Sequence, residues 1–158
     1  DIVLGVDNSY LETAAATTYV DVVARETAVV TVPASVYTST DPAREVLVAS
    51  LGDLRGLWFF AEPRHSALAA PRLTTDVRAI PGGYAVHIAA KNLVRDVALL
   101  VDKVHAGAHV DDMLVTLLPG ETVEFRVATP DGVVLDADDL VADGVLRSLN
   151  QLVRAAAP

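Results

Sequence analysis

Cysteine is absent from the 158 residues. Disulfides, zinc-thiolate centres and cysteine nucleophiles are therefore excluded. A chain without cysteine suits the cytoplasm, and that is the compartment we expect. Basic residues are scarce: twelve Lys and Arg stand against twenty-one Asp and Glu, a net charge of −9. Such a surface repels phosphate backbones, so neither nucleic acid nor a membrane is an expected partner. No apolar run approaches the roughly 18 residues of a membrane span. The first residue is Asp and no basic-then-apolar opening follows it, so neither a signal peptide nor a natural start is expected here. The chain reads as a piece of something longer. A Gly-rich phosphate loop and a Ser-His-Asp arrangement are also lacking.

What is present is apolar. The apolar fraction is 52% and the mean hydropathy is positive, which excludes global disorder. The length suits one medium domain or two small ones. The most regular stretch is Val110–Val127. Two apolar runs, Met113 to Leu118 and Val123 to Val127, meet at Pro119-Gly120. Pro presets the first corner of a type II turn and Gly accepts the positive φ of the second. Beyond it Val123, Phe125 and Val127 alternate with Thr122, Glu124 and Arg126, the period of a half-buried strand. The stretch predicts a β-hairpin with one wet face.

Other strand candidates are Ile2–Val6, Thr13–Val23 with Thr18, Val20 and Val22 on one face, Ala28–Val32, Glu45–Leu51 and Gly56–Phe60. Turns are expected at Asp7 to Ser9, at Ser39 to Pro42 and at Gly52-Asp53. Residues 64–72 lack periodicity and read as a connection. Leu73–Ile80, a turn at Pro81 to Gly83, alternation from Tyr84 to Ala90, a polar break at Lys91-Asn92 and Val94–Val101 follow. Beyond the Pro130-Asp131-Gly132 turn, Val145, Leu149, Leu152, Val153 and Ala156 fall at helical spacing. A helix over about 143–156 is predicted, with Asp143 as N-cap and Leu149 and Leu152 packed on the second unit. Short strands separated by turns predict an all-β chain of two tandem β-sandwiches, 1–66 and 67–158. A single larger sandwich is the alternative.

Several segments resemble a known family. Arg44 to Leu51 followed by Leu57-Trp-Phe-Phe-Ala-Glu-Pro63 is similar to the C-terminal part of β-mannosidases of glycoside hydrolase family 2. Lys91-Asn-Leu-Val-Arg-Asp-Val97 and Val110 to Thr122, with its Leu-Pro-Gly-Glu-Thr, resemble their last immunoglobulin-like domain. The resemblance covers most of residues 1–128. It implies immunoglobulin-like sandwiches, the first short by one or two strands, and a parent that cleaves terminal β-mannosides with two Glu residues at the mouth of a (β/α)₈ barrel. A barrel takes about 250 residues, and the family's Asn-Glu pair does not occur here. The chain itself is therefore expected to be inactive, without cofactor. The catalytic barrel of the same parent is its expected partner, and a homodimer the second.

Candidate sites are few. Trp58, Phe59 and Phe60 form an aromatic run that most simply fills a core. Trp58 and Tyr84 are the residues that could offer a platform to a sugar ring, which makes a carbohydrate-binding module the alternative function. Tyr10, Tyr19 and Tyr37 are scattered. An extracellular adhesion domain is a third class, disfavoured by the missing disulfides and calcium pattern. His105 and His109 stand four apart in what reads as a loop, and a closed metal site needs three or four ligands. Asp111-Asp112 and Asp136, Asp138 and Asp139 read as turn carboxylates rather than calcium ligands. No metal is expected. His87 falls on the outward face of its strand.

Overall fold

The structure, a computed structural model, describes residues 2–6 and 11–155. The fold is mostly β, built of antiparallel sheets with no closed barrel among the described residues. The chain divides into two compact units, Asp1–Ala67 and Leu68–Pro158. The expected turn at Asp7 to Ser9, Tyr10 and Ala156 lie outside the described residues.

The first unit is one sheet. Strands β1 (Ile2–Val6), β2 (Leu11–Ala16), β3 (Glu45–Leu51) and β4 (Leu54–Phe59) lie in the order β2-β1-β3-β4. β3 and β4 join through Gly52-Asp53, where Gly52 takes φ 56, a conformation glycine accepts at no steric cost. A one-turn helix, α1 (Ala34–Tyr37), packs near β1 and β2 and buries Val36. Three expectations fail here. The strand predicted over Thr13–Val23 ends at Ala16, which pairs with Ile2, the first residue of β1. Ala28–Val32 belongs to no strand. β-Branched residues favour a pleat only where a neighbour supplies the ladder and the packing. Finally, Trp58 is 64% exposed rather than buried. β4 is an edge strand, and among the described residues no second sheet covers this unit to make it a sandwich.

The second unit has two sheets. One contains β5 (Leu73–Ile80), β6 (Gly83–Ala90), β8 (His109–Val110) and β10 (Thr122–Ala128) in the order β5-β6-β10-β8. The other contains β7 (Val94–Leu99), β9 (Val115–Leu117) and β11 (Leu146–Arg147) in the order β11-β7-β9. Val86, Ile88, Phe125 and Val127 from the first meet Val94, Val97, Leu99 and Leu117 from the second in one buried cluster. The alternation at 122–127 holds: Phe125 and Val127 are buried, Thr122, Glu124 and Arg126 exposed. Tyr84, Val86 and Ile88 share the core face of β6.

The predicted hairpin at 110–127 is not one. β9 pairs with β7, whereas β10 pairs with β6 and β8. The type II turn is present: Glu121 N–H donates to Leu118 C=O at 3.0 Å and Gly120 has φ 87. That turn type splays the flanking strands instead of matching their twist. Here it carries the chain from one sheet to the other. The Glu121 carboxylate accepts from Leu118 N–H at 2.8 Å, and the turn bonds to the end of β6 through Gly120 N–H to Ala90 C=O and Ala90 N–H to Glu121 C=O. The strand before it is shorter than predicted, because Leu114 at φ 62 breaks the extended backbone and leaves Met113 and Leu114 exposed.

The C-terminal helix is also shorter. α3 spans Leu149–Ala155. Asp143 is not its N-cap, since Gly144 turns at φ 93 and Leu146–Arg147 are taken by β7 as a strand. The start carries one half of a capping box instead: the Gln151 carboxamide oxygen accepts from Ser148 N–H at 2.8 Å, while the Ser148 hydroxyl makes no hydrogen bond in return. Leu149 is half-buried, and Leu152 is 54% exposed rather than packed. A short helix that the periodicity did not reveal, α2 (Ala137–Leu140), buries Leu140.

Candidate functional site

Trp58 sits on β4 opposite Leu47 of β3. Two residues before it on the same strand, Gly56 carries no side chain, and a Cβ built there would meet open space. Trp58 is thus exposed beside a bare stretch of sheet. Tyr84 lies in the second unit, 8% exposed. Its hydroxyl donates to Leu135 C=O at 2.7 Å and accepts from Leu135 N–H at 2.9 Å. Both of its hydrogen-bonding capacities are spent holding the 129–136 loop, and its ring belongs to the core. Tyr19 and Tyr37 are exposed but lie outside the sheet. Phe59 and Phe60 are half-buried.

The polar candidates serve the backbone. Asp111 accepts from Arg126 N–H and Asp112 from Met113 N–H, at 2.8 and 2.7 Å. Asp136 caps α2 by accepting from Asp138 N–H at 3.0 Å, and Asp138 and Asp139 occupy its first turn, where acidic groups suit the free amides. His105 Nδ1 accepts from Gly107 N–H at 3.1 Å, and His109 lies exposed on β8. Among the described residues no group of three His, Asp or Glu is placed to hold a metal ion. Ser66 donates to Glu62 C=O at 3.1 Å, not to His65.

Three features escaped the residue pattern. Two buried asparagines clamp the entry to β5. Asn92 accepts from Arg72 N–H at 2.8 Å and donates to Ala70 C=O at 3.0 Å. Asn150, in the first turn of α3, accepts from Arg95 N–H and donates to Ala69 and Leu93 C=O, all at 2.9 Å. Next, His87 lies in register between Asp76 and Glu124 on the outer face of the larger sheet. Arg78 bridges those two carboxylates at 3.2 and 3.6 Å, and Arg126 also reaches Glu124. Once strands are paired in register this row follows from alternation. The pairs are exposed and worth little each.

The third is Glu45, 5% exposed at the start of β3. Its carboxylate accepts from Thr40 N–H and from the Thr40 hydroxyl, both at 2.9 Å. Burial by itself raises its pKa; the hydrogen bonds from Thr40 oppose that, and the carboxyl is held below the ordinary carboxylate range. No protein-family model matches the chain, and no curated protein matches it in sequence. No described helix is long and apolar enough to cross a membrane.

Proposed function

We infer that this chain is a non-catalytic module of immunoglobulin-like sandwiches from the C-terminal end of a β-mannosidase-type glycoside hydrolase, where it packs on or supports the catalytic barrel. One observation carries the reading. In the segments that resemble the family, the polar side chains bind neighbouring backbone: Asn92 holds Ala70 and Arg72, Asp111 holds Arg126, Asp112 holds Met113 and Glu121 holds Leu118. Groups committed to shaping turns and strand ends suit a supporting domain. A retaining glycosidase instead needs two carboxyl groups about 5 Å apart, free to reach a sugar. The test is the native gene product. Peptide mapping is expected to place this chain beside a (β/α)₈ segment containing an Asn-Glu pair; a product without such a barrel would overturn the assignment.

The exposure of Trp58 favours a second reading, a carbohydrate-binding module. Stacking on one aromatic face is its physical basis. Manno-oligosaccharides titrated to millimolar concentration should then shift the fluorescence of Trp58, the only Trp of the chain. A flat titration removes this reading.

A further inference from the structure

Between β2 and α1 the chain makes an excursion, residues 17–32, that belongs to no sheet. Its turn is nevertheless formed: Glu26 N–H donates to Val23 C=O at 3.0 Å and Arg25 takes φ 71. The two arms lie on either side of it. Thr18, Val20 and Val22 on one arm, with Ala28 and Val30 on the other, line one wall of an open groove of about 460 Å³. Leu51 and Leu54, at the tip of the β3–β4 hairpin, line it as well. The side chains between, Tyr19 and Val29, point away and are 95% and 93% exposed. A period of two therefore already turns the aliphatic side of both arms toward the sheet. Leu51 and Leu54 remain 79% and 71% exposed, and the groove has room for many waters at about 30 Å³ each. Water between aliphatic walls is expelled when the walls meet.

We propose that residues 17–32 form a strap that closes over the tip of the β3–β4 hairpin. On closing, the arms pair with each other across the Val23–Glu26 turn, and Val20, Val22 and Val30 cover Leu51 and Leu54. Opening and closing gate the apolar groove. The occupant is the chain's own strap, so closure is independent of protein concentration. It is also independent of the parent's activity.

Hydrogen exchange of the intact chain tests this. Amides of 18–22 and 28–31 should exchange at least tenfold slower than free chain, unchanged on tenfold dilution, and Val20→Asp should remove that protection while β3 stays slow. Since the chain has no cysteine, the pairs V20C/L54C and V30C/L54C provide a second measurement without adding charge. At least one should cross-link in high yield under mild oxidation. Arms that exchange freely in the wild type, protection that disappears on dilution because a second copy is the occupant, or no cross-link in either pair would each overturn the strap.

Discussion

A carboxylate out of water is costly unless donors surround it, and Glu45 meets that condition through a single loop. Its pKa is lowered on folding, so its contribution is complete above the ordinary value near 4.3 and is lost as pH falls through the folded value. Urea unfolding followed by Trp58 fluorescence should show the first unit weakening below about pH 4.5. Glu45→Gln should remove that pH dependence and cost about 1–2 kcal/mol at pH 7. Gly83 is the second residue whose identity is fixed. A Cβ there would overlap the Val127 carbonyl oxygen, backbone that cannot swing aside. Gly83→Ala should destabilise the second unit by about 3 kcal/mol, roughly 12 °C or more in Tm, read by calorimetry. Trp58 and Tyr84 show the limit of residue type as a guide. Both were candidate platforms, yet one rides an edge strand and the other anchors a loop from within a core.

Among elements, α3 acts through one side chain more than through its apolar stripe. Asn150 satisfies three backbone groups on two segments, so Asn150→Ala leaves them buried and unpaired. A loss of about 3 kcal/mol is expected, against under about 0.5 kcal/mol for the exposed Leu152→Ala; chemical denaturation of the two variants separates them. The strands β1, β3, β5, β6, β7 and β10, the type II turn and the alternation at 122–127 were legible, because they rest on local turn chemistry and a period of two. Pairing was not. A Pro-Gly corner between two apolar runs looks the same whether the runs pair or part to different sheets, and only the Ala90 bonds to Gly120 and Glu121 decide it. The helix start was misplaced for a related reason: Val145 keeps helical spacing with Leu149 while β7 recruits the two residues after it, Leu146 and Arg147, as a strand. Of the candidate site, Trp58 was named as a platform but expected in a core, since exposure depends on which sheet faces are covered. The clamps of Asn92 and Asn150 join positions 20 to 81 residues apart, which no local pattern reveals.

At the scale of the whole chain the two units differ in how much they bury. Among the described side chains, Val36, Val46 and Val48 are the buried apolar residues of the first unit, whereas the second has a continuous cluster drawn from both of its sheets. Small cores are marginal, so in the intact chain Trp58 fluorescence should melt at a lower temperature than the main far-ultraviolet transition. Coincident transitions would show the units to be one cooperative block. On the function proposed above, the molecule is framework with no reaction centre of its own. The purified 158-residue chain incubated with an aryl β-mannoside tests it most directly. The rate should equal that of buffer alone; enzyme-like turnover that follows the protein through purification would contradict it.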